Sequence, residues 1–494
     1  MTLTFSDSAK FAQAAQSLVQ DQGLTVNHSF FSSQQLAQFQ PGQSFSAGFL
    51  PLPSWILSLV FRFFPITDQT VIFTSLFFHL LSTLLVFLIA KKLHSIKAGL
   101  IATLFFIFNL PLIEYATNFA SETTFIFLIL LFVYLTLAPF KYKPLALLPL
   151  ILIFFTRQQA FVFLASLLPL FFIWLATAKL SWFKKVIPII FVVICFFALF
   201  RFTFKDVSSI FSPAKISGSL AMAPGLPAAS YLRGQSTNQM SLGNLSIKIF
   251  HNFYNFSKSP ARLVSPIIIL LFVLSLFLKH KNKNLIYFHL LTLFSFIAFM
   301  LAASATLPNA RYIHPVIPLV IIATSIALVR ITNKLKIRYS KIFLVVVIIF
   351  IILPAIGHFT LDARFRKQQF NLDKPPAYKA ISQTMAQHIP QDKLIITNLD
   401  AWAAWYQGLT TMWFPVSPDL LDGFQDKIDY IVITNYKEHD ADFALNDWAE
   451  VVYQPESIQD GFLRGNYNLL TTFTIPSGQV YENQPYQGTI LIKN

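Results

Sequence analysis

Apolar stretches long enough to cross a bilayer recur through the first 360 residues, and they limit what this chain can fold into more than any other feature. A membrane-spanning helix needs roughly 17 to 25 mainly apolar residues. Such stretches lie near residues 70–90, 97–113, 121–139, 186–203, 262–279, 284–306, 312–330 and 341–360. Two shorter ones, near 144–157 and 159–178, indicate a hairpin of short helices. We therefore predict an α-helical polytopic membrane protein with about ten transmembrane helices.

The charged residues support this interpretation. Only 12% of the 494 residues are charged, against about 25% in an average soluble domain. Residues 1–360 contain 27 lysines and arginines but only six acids, whereas the remaining residues contain ten basic and sixteen acidic side chains. The net charge of +15 therefore belongs to the apolar part of the chain. It indicates membrane topology rather than a nucleic-acid-binding face, and no nucleic-acid partner is predicted.

Basic residues cluster in every second connection between the predicted spans. Cytoplasmic loops of membrane proteins are enriched in lysine and arginine, so these five connections are predicted to be cytoplasmic. The clusters are Lys91, Lys92 and Lys97; Lys141 and Lys143; Lys179, Lys184 and Lys185; Lys279, Lys281 and Lys283; and Arg330, Lys334, Lys336, Arg338 and Lys341. We therefore predict a multi-pass plasma-membrane protein with three extracytoplasmic parts, residues 1–69, the loop 204–260 and the tail 361–494, around a transmembrane domain of residues 70–360.

The N-terminal part raises a topological question, because no span precedes its polar residues to translocate them. We expect that a first transmembrane helix is missing from this chain, with translocation of a free N-terminal tail as the alternative. Residues 51–65, with Trp55 and Arg62, are too short to span and suit a helix in the outer membrane interface. The loop 204–260 is rich in Ser, Gly, Pro and Asn and is predicted to be mobile.

The sequence changes character after His358. Short β-branched runs predict strands at 394–398, 430–434 and 489–493, and helices are predicted at 375–388 and 440–449. This alternation predicts a small C-terminal extracytoplasmic α/β domain. Its sequence has neither a glycine-rich phosphate loop nor a nucleophile elbow.

Acidic residues near a bilayer are costly, so each one is a candidate functional group. Asp7 and Glu122 are predicted at the same outer membrane level, where one of two acids sharing a site could deprotonate an acceptor hydroxyl. The alternative is structural: Asp7 would cap a helix, and Glu122 would be an acid of the first helical turn behind a capping Ser121. Glu114 is a further candidate.

Two arginines are predicted at the same level, Arg311 at the start of a late span and Arg157 in the short hairpin. An arginine fork can hold a phosphate through two hydrogen bonds, whereas the alternative for both is contact with lipid headgroups. His314 is interpreted as structural. The scattered histidines and the single cysteine, Cys195, show no metal-binding spacing.

Four stretches, taken in this order, resemble the GT-C superfamily of membrane glycosyltransferases. The similarity is greatest to the bacterial branch that contains protein O-mannosyltransferases and lipid A aminoarabinose transferases. The stretches are Ser6-Asp7-Ser8 followed by 11–18 and Gly23, Ser121-Glu122-Thr123, Thr156-Arg157-Gln158, and Arg311-Tyr312 with Pro315 and Pro318. An outer α/β tail after the last helix also occurs in many such bacterial proteins.

The resemblance implies transfer of a sugar from a polyprenyl-phosphate donor to a protein, lipid or glycan acceptor at the outer face, usually with inversion. It implies that Asp7 is the general base and Glu122 a second acid of the cavity. The implied substrate-binding residues are Arg311, Tyr312 and Arg157, and Glu114 is added to them from its position near the outer face. Several relatives have an acidic pair where this chain has Asp7 alone, which weakens the case for a required metal. A divalent metal stays possible, no metal ligand is assigned, and no other cofactor is predicted.

Other functions share this topology. A transporter or flippase would place charges at the membrane midplane and show inverted repeats with broken helices, whereas the acids here lie near the outer face and no repeat is evident. A polysaccharide polymerase or ligase would also use a lipid-linked sugar, so the sequence does not separate it from a transferase. A non-enzymatic scaffold is the remaining alternative.

Overall fold

The computed structural model describes residues 2–177, 220, 242–258, 263–278, 282–306, 308–335, 337–361, 374–437 and 445–494. The predicted span 186–203, Cys195 and most of the predicted loop 204–260 lie outside these residues. So do six lysines of the predicted cytoplasmic clusters: Lys179, Lys184, Lys185, Lys279, Lys281 and Lys336.

The described part of residues 1–361 is mainly helical. Its helices are α1 (Ser6–Val19), α2 (Ser33–Gln38), α3 (Leu52–Phe61), α4 (Asp68–Leu93), α5 (Ile96–Ile107), α6 (Leu110–Ala116), α7 (Ser121–Thr136), α8 (Leu147–Ile153), α9 (Ala160–Thr177), α10 (Leu242–Lys258), α11 (Pro266–Phe277), α12 (Lys283–Ala305), α13 (Ile317–Lys334) and α14 (Ile337–Leu361). The strands of this part are β1 (Thr25–Val26), β2 (His28–Phe30) and β3 (Phe45–Ser46).

Within the described residues, three helical segments are long and apolar enough to cross a membrane: α4, α12 and Ala310–Lys334, which ends with α13. The ends of α4 show why it forms here. The Thr67 hydroxyl accepts a hydrogen bond from the amide of Thr70, Asp68 lies in the first turn, and Lys91 and Lys92 lie in the last. These charges complement the helix dipole.

The same helix has an apolar face for lipid. Four of its large apolar side chains recur every three or four residues and are more than half exposed, so they form one outward stripe. They are Phe73, Phe77, Leu80 and Leu84. In contrast, α13 is buried on nearly all sides and forms the centre of the bundle. This arrangement is that of a membrane protein.

The predicted span 97–113 is not one straight helix. It consists of α5 and α6, which meet at an angle of 68°. Asn109 accepts a hydrogen bond from the amide of Leu112 and so starts a new helix, while Pro111 has no amide hydrogen to continue the old one. The predicted span is therefore a bent pair of helices, which together are long and apolar enough to cross a membrane. The total of about ten spans stays a prediction.

Part of the predicted irregular loop 204–260 is also helical, because α10 begins at Leu242. Its apolar residues Ile247, Phe250 and Tyr254 are exposed, whereas Lys248 is buried. Spacings of three and four residues are the pattern of an amphipathic helix. The sequence contains this pattern, but the helix was not predicted because many polar residues precede it in the loop.

The C-terminal part contains α15 (Ala377–His388), α16 (Asp400–Gln407), α17 (Ala449–Tyr453), α18 (Gly461–Asn466), β4 (Leu394–Thr397), β5 (Thr410–Trp413), β6 (Tyr430–Thr434), β7 (Tyr467–Ile475) and β8 (Tyr486–Lys493). The strands β4, β6 and β8 lie at the three predicted strands, and α15 lies at the predicted helix 375–388. Only 445–449 of the predicted helix 440–449 is described, and it forms a 3₁₀ turn leading into α17. The strands β5 and β7 were not predicted.

These strands form one six-stranded sheet in the order β2-β5-β4-β6-β8-β7. The neighbours β2, β5, β4 and β6 are parallel, and β8 and β7 are antiparallel to their neighbours. Every residue of β4 and β6 is buried, which requires helices on both faces of the sheet. On one face lie α15, α16 and α1, and on the other lie α2, α17 and α18.

The strand β2 belongs to the N-terminal part of the chain, so the predicted boundary between residues 1–69 and 361–494 does not separate two folding units. His28 pairs with Thr411 and Phe30 with Trp413 in the parallel register. A three-residue strand has too little pattern to be recognised in a sequence, and its partner lies beyond the whole membrane part.

Candidate functional site

The helix α1 brings Asp7 to the surface of the membrane part. Phe5 is the residue that precedes the helix and no side chain caps it, so Asp7 is a first-turn residue rather than the cap. One oxygen of its carboxylate lies 2.8 Å from Nη1 of Arg311, and 39% of the side chain is exposed. The capping alternative for Asp7 was therefore wrong.

Glu122 lies in the first turn of α7 and is completely buried. Its carboxylate is 2.5 Å from Nη1 of Arg157, and it accepts hydrogen bonds from both Nε and Nη2 of Arg311, the latter at 3.1 Å. Ser121 does not cap the helix as the alternative supposed; its hydroxyl accepts a hydrogen bond from Arg157 at 2.8 Å. A buried carboxylate needs such partners, because without them the loss of hydration is not offset.

Arg311 therefore links the two acids that the sequence analysis placed at one level. Its Nη1 faces Asp7, while Nε and Nη2 face Glu122. The structure thus brings Asp7, Glu122, Arg157 and Arg311 together in one network, although α1, α7 and the segment of Arg311 are far apart in sequence.

Asn118, in the turn before α7, holds the start of α1 beside this network. Its Oδ1 accepts hydrogen bonds from the amide and hydroxyl of Thr4, at 2.7 and 2.6 Å, and its backbone oxygen accepts one from the hydroxyl of Ser8. Phe119, which follows, is buried and has a φ of +44°, a conformation that side-chain-bearing residues rarely adopt. This turn fixes the backbone on both sides of Asp7.

A cavity of about 260 Å³ opens beside Asp7. Its wall contains Asp7, Lys10, Phe11, Phe30, Gly48, Phe49, Leu50, Ser121, Thr156, Arg157, Gln158, Gln159, Arg311 and Tyr312. The cavity therefore combines one carboxylate with three cationic side chains and an aromatic side. Glu122 lies behind the wall, in contact with two of the cations.

Lys10 is the residue that the sequence analysis missed. It is 8% exposed, lines the cavity, and its Nζ lies 4.2 Å from the centre of the Phe30 ring. The signal was present, because residues three apart on a helix point to the same side and Asp7 is three residues before Lys10.

The other predicted residues differ in whether they line the cavity. Tyr312 lines the cavity, whereas Glu114 does not. Glu114 lies on α6, and its backbone oxygen accepts a hydrogen bond from Asn118. Its contact with substrate stays a prediction. His314 is buried with its Nδ1 2.5 Å from the hydroxyl of Tyr115, as a structural histidine would be. In the described part of the chain, no group of three or more metal-ligand side chains is present.

The charges of the cavity keep Asp7 ionised. Burial raises the pKa of its carboxyl, but the positive charges of Arg311, Lys10 and Arg157 outweigh this effect and lower the pKa to about 2. The same surroundings also lower the pKa of His28, which keeps this side chain neutral. Burial first, and then the charge of Lys10, lower its pKa well below the usual value.

No protein-family model and no curated protein sequence matches this chain. Solved structures do match it. ArnT from Cupriavidus metallidurans, an aminoarabinose transferase solved with bound undecaprenyl phosphate, superposes with a TM-score of 0.57 at 10% identity, over 99% of this chain and 94% of ArnT. A second structure is the oligosaccharyltransferase AglB from Archaeoglobus fulgidus, in complex with an inhibitory peptide and a dolichol-phosphate. It superposes with a TM-score of 0.53 at 11% identity, over 87% of this chain and 66% of AglB.

The Archaeoglobus fulgidus oligosaccharyltransferase in complex with Zn and sulfate gives a TM-score of 0.56 at 12% identity, over 87% of this chain and 64% of that enzyme. At these identities the similarity lies in the fold. Both kinds of enzyme are membrane glycosyltransferases of the GT-C superfamily. The resemblance predicted from four short motifs is thereby confirmed at the level of the fold, which this chain shares with these enzymes.

Proposed function

We propose that this protein is a glycosyltransferase that moves a sugar from a polyprenyl-phosphate donor to an acceptor at the outer face of the membrane. The observation that carries the proposal is the cavity in which Asp7 faces the same space as Lys10, Arg157 and Arg311. The shared fold supports it, because solved structures with this fold hold undecaprenyl phosphate and dolichol-phosphate.

The cationic side chains suit the phosphate of such a donor. Lys10, Arg157 and Arg311 carry three positive charges against the two negative charges of Asp7 and Glu122, so the site has one positive charge to offer a phosphodiester. All three nitrogens of Arg311 already contact carboxylates. We therefore assign the first contact with phosphate to Lys10, with Arg157 and Arg311 as the surrounding positive field. Fixed positive charge of this kind stabilises a phosphate as it departs.

Asp7 is the proposed general base. Its carboxylate is ionised and open to the cavity, so it can accept a proton from an acceptor hydroxyl. In an inverting displacement the acceptor oxygen bonds to the anomeric carbon, the bond from that carbon to the phosphate oxygen breaks, and the hydroxyl proton passes to Asp7. Glu122 is buried behind the wall and receives a positioning role, which is to hold Arg157 and Arg311 in place.

The proposed donor also implies a membrane topology. A polyprenyl phosphate keeps its tail in lipid and presents its sugar at the headgroup level. We propose a multi-pass protein of the plasma membrane with the C-terminal domain outside the cytoplasm. The acceptor is then a protein, lipid or glycan of the cell envelope, and the donor arrives through the bilayer.

The test compares sugar transfer by membranes that contain the protein with transfer by a matched membrane preparation without it. Transfer from polyprenyl-phosphate mannose is measured, with the aminoarabinose derivative as a second donor. Asp7→Asn is expected to lower the rate at least about 100-fold, the usual contribution of a general base. Asp21→Asn, an exposed acid beyond the end of the same helix, is the control and keeps the rate. Equal transfer by Asp7→Asn and the unchanged protein would remove Asp7 from the mechanism, and no protein-dependent transfer with either donor would contradict the proposal for these donors.

A further inference from the structure

The strand β2 connects the candidate site to the C-terminal domain. It is an edge strand of the six-stranded sheet and pairs in parallel with β5. The amide of Thr411 also donates a hydrogen bond to the backbone oxygen of Asn27 at 2.8 Å, just before the strand begins. The segment that follows α1 is therefore built into the C-terminal sheet.

This segment contacts α1 at a first point through Gln13. The Oε1 atom of Gln13 accepts a hydrogen bond from the amide of Asn27 at 3.0 Å and lies 2.7 Å from Nδ1 of His28. Gln13 is 4% exposed and His28 is 5% exposed, so water does not replace these bonds when they are lost. Gln13 thus ties the middle of α1 to the start of β2.

A second contact reaches the cavity itself. The ring of Phe30, at the end of β2, supports the ammonium group of Lys10 and lines the cavity. The same ring also lies beside Trp413 of β5, whose ring centre is 5.4 Å away. A side chain of the C-terminal domain therefore supports the cavity wall through a single intervening ring.

The C-terminal domain is in turn fastened to the membrane part. Asp68, the first residue of α4, accepts hydrogen bonds from Nε1 of Trp405 and from the hydroxyl of Tyr406, each at 2.8 Å. The hydroxyl of Tyr378 donates to the backbone oxygen of Leu3, just before α1. The helix α1 is held between two parts that are also joined to each other.

We propose that the C-terminal domain positions α1, and with it Asp7 and Lys10, and that Gln13 is the positioning residue. A 14-residue helix is marginal by itself in water, so its place depends on such contacts. The role assigns a function to the domain that does not require it to touch donor or acceptor. Its effect on activity rests on the glycosyltransferase proposed above.

The test uses the full chain in detergent or membranes and two readouts, hydrogen exchange of residues 6–19 and the kinetics of sugar transfer. Gln13→Leu is expected to speed exchange in this segment about tenfold, because two buried hydrogen bonds are lost. The same variant is expected to lower kcat about 10- to 100-fold, since a misplaced catalytic group loses that much. Gln13→Glu keeps the acceptor oxygens and is expected to change both readouts less than Gln13→Leu does. Gln16→Leu, three residues along the helix, is the control and changes neither.

Unchanged exchange in Gln13→Leu, or the same change in Gln16→Leu, overturns the positioning role. If Gln13→Leu does not accumulate, Phe30→Leu replaces it and is expected to raise the KM for donor about tenfold; an unchanged KM then counts against the proposal. Absence of sugar transfer by the unaltered protein contradicts the proposed function alone, because the exchange measurement still decides whether β2 holds α1.

Discussion

Arg311 places its Nη1 2.8 Å from a carboxylate oxygen of Asp7, so the start of a late membrane segment holds the first turn of α1. The same guanidinium binds the buried Glu122 through its two other nitrogens. The site is therefore ordered by its own charges before any substrate arrives. Such preorganisation is the usual source of electrostatic stabilisation in enzymes.

The pair of Arg311 and Glu122 is expected to dominate the stability of the site. Arg311→Met leaves a completely buried carboxylate with Arg157 as its remaining cationic partner among the contacts described, and such a loss costs about 3–5 kcal/mol. Glu122→Gln is expected to cost a similar amount. The double variant is expected to cost less than the sum of the two, because the uncompensated charge is gone. Thermal unfolding of the purified variants measures this, and additive losses would contradict the pairing.

Lys10 is expected to determine affinity for the donor. Lys10→Met removes the cation that is assigned the first contact with phosphate, and the KM for polyprenyl-phosphate sugar is expected to rise about tenfold, the effect of about 1.4 kcal/mol. Lys10→Arg retains the charge and most of the affinity. Lys258→Met is the matched control, since Lys258 also lies over an aromatic ring, that of Tyr254, but does not line the cavity. A KM unchanged in Lys10→Met would exclude this contact.

His28 is expected to make stability depend on pH. Burial and the charge of Lys10 lower its pKa in the folded protein well below the value of about 6.5 in an unfolded chain. Below that pH the unfolded state binds a proton that the folded state does not, so stability falls as the pH is lowered. The loss is at most about 1.4 kcal/mol per pH unit.

The variant His28→Gln isolates this effect, because glutamine can still donate a hydrogen bond to Gln13 but does not titrate. The melting temperature of the unaltered protein is expected to fall more between pH 7 and pH 5 than that of the variant. All other groups titrate alike in the two proteins and cancel in the comparison. Parallel curves would show that His28 is not the titrating group.

Several features of the candidate site could be predicted from the sequence, because the cost of a charge near lipid is a local property. Glu122, Arg157 and Arg311 each stand out as charged residues at the ends of apolar stretches, and Asp7 stands out as one of only six acids in residues 1–360. The ion-pair partner of each residue cannot be recognised from the sequence. Nothing in the sequence shows that Arg311 contacts both acids, or that Glu122 is buried behind the cavity rather than exposed in it.

The fold shows the same division. The length of the apolar stretches predicted α4 and α12, since burial in lipid and internal hydrogen bonding both depend on consecutive residues. The bend between α5 and α6 depends on Asn109 and Pro111, which lie within an otherwise apolar run and so were passed over. The strand β2 was missed because its pairing with β5 is not a local property.

By itself the sequence determined that this is a helical membrane protein with acids and arginines gathered near the ends of its apolar segments. The physical reason is that hydrophobic length and charge cost are summed over neighbouring residues. Only the tertiary structure decided which charges neutralise one another, that Lys10 joins the cavity, and that a strand beside α1 belongs to the C-terminal sheet. Those outcomes depend on distances between side chains that packing alone brings together.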